Sequence, residues 1–259
     1  MENAGDIADR LYHLMIRLAH ERTVADARIG DTYIAILLDD GLLGLSAVPK
    51  ADIPPECPPF PPQETLIGSE AASTLAWLIE KGNPRQKAIA LATANALIRQ
   101  ERCDAFGDAF DRIGMTAADR VAMVGRFKPL VERIEATGAS LTILEKDASK
   151  GLVLGARERQ EVLQKATVAL ITATTILYDS LEEILAGLGD SRHTVLLGPS
   201  TPMIPELFAD TPIHHLGGVR IRDAAGVLRI VSAGGGTRSM RPWFETTNLF
   251  IDKRVLQRR

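Results

Sequence analysis

Apolar positions near the start of the chain recur with a period close to 3.6. Ile7, Leu11, Leu14, Met15 and Leu18 fall in one stripe, which predicts an amphipathic helix with His13 and His20 on its opposite face. Three short apolar runs follow at residues 23–29, 32–38 and 42–48, separated by Gly30-Asp31 and by Asp39-Asp40-Gly41. Turn residues at that spacing predict an antiparallel meander. Residues 53–62 carry six prolines in ten positions, a pattern that excludes helix and central strand and predicts an extended connector. Two helices are expected next, one over 69–81 capped by Ser69 and one over 84–100, where Asn83 stands before a proline. The second is rich in alanine and can pack closely.

From Arg120 the texture changes. The apolar runs VAMVG, LTILE, VALIT and TVLLG alternate with FKPLVERIEATG, with a polar helical stretch over 156–165 and with ILYDSLEEILAGL. Such alternation predicts right-handed crossovers and a parallel sheet covered on both faces, a Rossmann-like texture. Further on, 217–222 and 227–231 flank Asp223-Ala224-Ala225-Gly226, which predicts a hairpin, and 233–238 reads as a glycine-rich loop. The expected fold class is α/β, with an α+β domain over 1–105 and a parallel-sheet domain over 106–259.

Composition narrows the partners. At 259 residues and 46% hydrophobic the chain can bury a proper core. A formal net charge of −3 and a pI near 6.0 give no electrostatic footprint for nucleic acid. No run approaches the roughly 18 apolar residues needed to cross a bilayer, and the amino terminus lacks a signal-type apolar segment. A soluble cytoplasmic protein is expected, with a small molecule or a second copy of the chain, as a homodimer, for its partner. The two cysteines, Cys57 and Cys103, lie far apart without CxxC spacing, so neither a disulfide framework nor a thiolate zinc site is indicated. His13 and His20 would sit about 10 Å apart along a helix, and the adjacent His214 and His215 would point to opposite faces of a strand. A metal site does not follow from spacing. Nor does nucleophilic hydrolysis, because Ser200 lacks the GxSxG elbow.

The segment TVLLGPSTP ends an apolar run in a glycine followed by hydroxyls, delivering Gly198, Ser200 and Thr201 to the carboxyl edge of the sheet, where open α/β domains bind ligands. Gly125 ends the first strand of the alternating half and Glu145 ends the second, twenty residues later. That spacing matches the glycine turn and ribose-binding acid of dinucleotide sites. GRFKP has one glycine where the fingerprint has three, which argues against a whole dinucleotide and leaves an adenosine-like or pterin-like group; Glu145 could equally cap the next turn. Thr172, Thr174 and Thr175 could bind a polar ligand edge at a helix start or simply cap that helix. Thr201, before Pro202, has the same two readings. Gly234, Gly235 and Gly236 with Thr237, Arg238 and Arg241 could form an anion nest or a surface loop.

Several short motifs in one order, ALATANAL, VAMVGRFKPLV, LTILE, ITATT, LLGPSTPMIPELF, HLGGVRIRD and SAGGGT, resemble the "putative heavy-metal chelation" family, which joins an enolase N-terminal-like domain to a Rossmann-like domain. The resemblance implies an interdomain cleft with Asn95 facing Gly125, Phe127, Glu145, Thr172, Thr174, Gly198, Ser200 and Thr201. Where the family usually carries asparagine-glycine-threonine, this chain has Tyr178, Asp179 and Ser180, which implies a different ligand edge. The function implied is binding or processing of a transition-metal chelate or chelator precursor in metal homeostasis. A nucleotide- or S-adenosylmethionine-dependent enzyme using the same cleft, and a ligand-free interaction protein, stay open beside it.

Overall fold

The computed structural model describes residues 6–50, 53–81, 83–145 and 154–252. Helix α1 (Ile7–Ala19) starts at Asp6, whose side chain accepts the Asp9 N–H at 2.9 Å, and buries Ile7, Leu11 and Met15. Leu14 and Leu18, expected in the same stripe, are 48% and 41% exposed; the buried face follows i, i+4, i+8 and is narrower than the apolar pattern. Strands β1 (Val24–Ile29), β2 (Tyr33–Leu38) and β3 (Leu43–Ala47) form the expected meander. Helix α2 (Ala71–Leu75) is shorter than the sequence suggests, and Ser69 does not cap it: the Ser69 hydroxyl donates to the Leu66 carbonyl at 2.6 Å instead. Helix α3 (Pro84–Leu97) is opened by Asn83, which accepts from the N–H groups of Arg85 and Gln86. It ends three residues early and is buried almost all round, lying against β2 and β3.

The chain then crosses to a second sheet. Its elements in order are β4 (Ala105–Phe106), β5 (Arg120–Val124), α4 (Lys128–Glu135), β6 (Ser140–Leu144), α5 (Ala156–Lys165), β7 (Val168–Thr172), α6 (Leu181–Gly187), β8 (His193–Leu197), β9 (His215–Ile221), α7 (Ala224–Ser232), α8 (Thr237–Met240) and β10 (Phe244–Phe250). The strand order is β4-β10-β9-β8-β7-β5-β6, parallel from β6 to β9 and antiparallel at β10 and β4. The fold is thus mixed α/β, a three-stranded antiparallel sheet beside a seven-stranded, mostly parallel one. Alternate residues serve opposite faces, as the two-residue strand period requires. Val121, Met123, Val168, Leu170 and Val195 pack with Leu130 and Ile134 of α4, while Ala122, Ala169, Ile171 and Leu196 belong to a core shared with α1 and α3. One continuous apolar layer therefore joins the elements around both sheets. No helix among the described residues is long and apolar enough to cross a membrane.

The expected hairpin over 217–231 is absent. Residues 224–232 form α7, because Asp223 caps the Gly226 N–H at 3.0 Å and Ala224 and Ala225 fill the first turn. Val227 and Val231 then bury against Tyr33, Ala35 and Leu45 of the small sheet. β9 pairs with β10 instead, over seven residues.

Three histidines meet at the starts of β8 and β9. Asn248 donates through Nδ2 to the carbonyls of Ala105 and Gly107, so its Oδ1 accepts from His215 Nε2 at 2.9 Å. His215 Nδ1 is then left to accept from His193 Nε2 at 3.3 Å. Burial, followed by the proximity of His215, His214 and Arg192, pushes His193 down to about 4. Burial also lowers His215, partly offset by Asn248 and by the nearby Asp104. Both histidines titrate lower in the folded chain than at about 6.5 in the unfolded one, so between those values the unfolded chain binds more protons. Stability is expected to be complete above about pH 6.5 and to fall as pH drops toward 4. Urea titrations of wild type and His193→Gln across that range check this, and equal pH slopes for the two would refute it.

Candidate functional site

The strand order reverses direction of winding at the β5–β7 neighbour pair, the position at which open α/β sheets leave a crevice beyond their carboxyl ends. A cavity of about 660 Å³ lies there. Its walls come from the segments that follow β3, β5, β6 and β7, together with α5 and α6.

Gly125 turns the chain immediately after β5 at φ +83°, and a Cβ on it would stand 2.7 Å from Thr172 Cγ2. Both the dihedral and the space require glycine. Gly125→Ala is expected to lower stability by about 1–3 kcal/mol and to push the loop into the cavity; an unchanged melting temperature would contradict this. The Gly125 N–H donates to the Leu144 carbonyl at 3.0 Å and the Arg126 N–H to Glu145 Oε1 at 2.5 Å. One oxygen of Glu145 therefore fastens the loop after β5, while the residue lines the cavity. Phe127 occupies the capping position of α4 and also borders the cavity. Thr172 caps the short 3₁₀ turn Ala173–Tyr178, with its hydroxyl 3.0 Å from that of Thr174, and Thr175 donates to the Thr172 carbonyl at 2.8 Å. These hydroxyls cap the turn and border the cavity together.

Six of the residues expected at a ligand site, Gly125, Phe127, Glu145, Thr172, Thr174 and Thr175, are thus brought to one place. The others are not. Asn95 donates through Nδ2 to the carbonyls of Leu45 at 2.8 Å and Ser200 at 3.1 Å, and Ser200 Oγ accepts the Ala47 N–H at 2.8 Å. Thr201 donates to the Gly217 carbonyl at 3.1 Å. These groups join β3 and α3 to the loop after β8, beside a crevice of only about 20 Å³. Gly198, at φ +117°, makes the turn that leads into this junction, its N–H donating to the Gly217 carbonyl. Gly235 and Gly236 lie in the loop that packs on the β1–β2 turn, where the Thr237 hydroxyl meets that of Tyr33 at 2.6 Å. None of these six lines the large cavity.

No sequence pattern marks the wall made by Val48, Pro49 and Lys50 after β3, nor Arg159 of α5 and Glu183 of α6, which pair at 2.9 Å. Only the packing of one sheet on the other brings these segments together, and no local pattern announces that. The lining combines apolar Val48, Val124 and Leu144 with polar groups from Lys50, Glu145, Thr174 and Ser180. Such a surface suits an organic molecule carrying a few polar substituents. As for a metal held directly by the protein, no group of three or more His, Cys, Asp or Glu among the described residues is placed to hold an ion. The two cysteines are half-buried and separate, and the histidines near β8 and β9 are engaged with one another, with Asn248 and with the Thr194 N–H.

Solved structures share this fold, among them the following two. A protein of unknown function from Desulfitobacterium hafniense, of the DUF364 family, superposes with a TM-score of 0.75 at 22% identity, covering 94% of this chain and 98% of that one. A second protein of that family, from Pyrococcus horikoshii, gives a TM-score of 0.78 at 16% identity over 95% and 100% of the two chains. An uncharacterized protein of Methanocaldococcus jannaschii is 26% identical over 112 residues, 42% of this chain and 43% of that protein, so the match spans less than half of the relative's length. Family models match residues 12–98 and 108–250, and both are described as "Putative heavy-metal chelation". By these matches the chain belongs to the "Putative heavy-metal chelation" family.

Proposed function

We propose that the protein binds a small organic molecule, a chelator or its transition-metal complex, in the cavity at the β5–β7 carboxyl edge. The observation that carries this reading is the convergence of Gly125, Glu145, Thr172 and Thr174 on about 660 Å³ of space, within the usual range for small-molecule sites. Val48, Val124 and Leu144 would take the hydrocarbon or ring part of the ligand. Lys50, which borders the cavity, would face an anionic substituent, and the second oxygen of Glu145 a hydroxyl or amine. On this reading the donor atoms around the metal come from the organic ligand, and the protein recognises the complex by its outer surface.

The test is thermal stabilisation by Ni²⁺, Cu²⁺ and Zn²⁺, each offered free, as citrate complexes and as histidine complexes, with the chelators alone as controls. At a hundredfold excess over Kd a bound ligand adds about 2.7 kcal/mol of stability, which a melting curve reads directly. Stabilisation by a complex or a chelator that the free metal does not reproduce supports the proposal. Equal stabilisation by free metal, or none by any member of the set, overturns it.

The second reading, a nucleotide- or S-adenosylmethionine-dependent enzyme, rests on Glu145 standing at the end of the strand next to the Gly125 turn, where a carboxylate can accept from ribose hydroxyls. Glu145→Gln should then abolish any stabilisation by adenosine compounds. If wild type is not stabilised by them, or the variant is stabilised equally, this reading fails.

A further inference from the structure

Lys87 of α3 is among the largest of the fully buried side chains of the described residues, 2% exposed. Its ammonium group has one ion-pair partner among the described residues, the carboxylate of Asp179, whose side chain is 35% exposed. Asp179 is also the one non-glycine residue among those described with a positive φ, at +50° with ψ +35°. That conformation is uncommon outside glycine, and aspartate is one of the few side chains that tolerate it. On either side of it, Tyr178 and Ser180 border the large cavity, while Asp179 itself points back to α3.

Stability alone does not account for this arrangement. A buried ion pair is commonly matched or surpassed by apolar residues of similar volume, and a glycine would adopt the left-handed turn without strain. Lys87 belongs to the helix that packs on the small sheet, whereas Asp179 follows β7 of the large one. We infer that Lys87 is a positioning residue for the cavity: through Asp179 it fixes the Tyr178–Ser180 wall and so sets the shape offered to the ligand. The inference rests on the reading of the cavity as a binding site, but its structural half is testable without a ligand.

The single variants Lys87→Met and Asp179→Gly each strand one charge, and Asp179→Gly leaves an ammonium buried, so the informative protein is the double variant Lys87→Met/Asp179→Gly. It removes the pair, fills the volume and relaxes the turn, and its melting temperature should stay within about 3 °C of wild type or rise. Hydrogen exchange at the amides of Asp179 and Ser180, which donate to the carbonyls of Ile176 and Thr175, should quicken by about tenfold or more while core amides of β7 keep their rates. Any compound that stabilises wild type should bind the double variant about tenfold more weakly or lose its rank among the set. Unchanged exchange at 179–180 overturns the inference whatever binds. Faster exchange with unchanged affinity confines Lys87 to local structure and overturns its role in the site. Failure of every compound to bind wild type counts against the binding reading, and the exchange result then decides the positioning of the wall separately.

Discussion

Gly44→Ala is expected to destabilise the protein by at least about 3 kcal/mol, the upper part of the range for an overpacked interior. A Cβ at this position of β3 would stand 2.0 Å from the Ala92 carbonyl oxygen, 2.2 Å from the Ala96 nitrogen and 2.7 Å from the Asn95 carbonyl carbon. All three atoms are backbone of α3, so no flexible side chain can yield. Strand and helix would have to separate by an ångström or more, which loosens the alanine face of α3 and withdraws Asn95 from its bonds to Leu45 and Ser200. For a chain of this size the melting temperature should fall by roughly 6–12 °C. Gly236→Ala is the matched control. Its φ is −102°, and the nearest atom to a new Cβ is Thr32 Cγ2 at 3.8 Å, so a change of less than about 0.5 kcal/mol is expected. Similar losses for the two variants would mean that β3 and α3 do not touch as described.

Asp119→Ala is expected to lower stability by about 3–5 kcal/mol. The buried carboxylate receives Arg192 Nε at 2.9 Å and a second guanidinium nitrogen at 2.7 Å, Thr167 Oγ1 at 2.8 Å, and the N–H and hydroxyl of Thr116 at 2.8 and 3.0 Å. These donors stand before β5, β7 and β8, so one side chain fastens the amino ends of three parallel strands. The other ends of those strands carry Gly125, Thr172 and Gly198. Arg192, and then the hydrogen bonds from Thr116 and Thr167, hold Asp119 far below the usual carboxylate range against the opposing effect of burial. Because the folded value is depressed, its contribution is complete above about pH 3.9 and is lost as pH falls further. Urea denaturation at pH 7 measures the loss. A value under about 1 kcal/mol would show that Arg192, 43% exposed, and the threonines find water with little penalty.

Much of the fold was legible because burial on both faces leaves uninterrupted apolar runs: VAMV, VALI and TVLL read as strands and are strands. The stretch 224–232 was not, since VLRIV satisfies a strand period as well as a helical one. The Asp223 cap and two alanines decide for helix, and burial against the small sheet completes the choice. The Gly125 and Glu145 pair was legible from strand-end spacing. Ser200, Thr201 and the Nδ2 group of Asn95 carry the polar character of ligand contacts but bond across the junction between the sheets, a use that sequence alone does not separate from binding; Asn95 Oδ1 is buried there without a hydrogen-bond partner among the described residues. Lys50 and Arg159 could not be found, because their places in the wall depend on packing between segments distant in the chain.

Binding of an intact complex between β5 and β7 is best tested by X-ray diffraction recorded at the nickel absorption edge, from crystals grown with an equimolar nickel complex of citrate or histidine. Organic density is expected among Gly125, Glu145, Thr174 and Lys50, with the nickel signal inside that density and its ligand atoms belonging to the small molecule. Nickel bound directly to side chains elsewhere, with no organic molecule between β5 and β7, would contradict such binding.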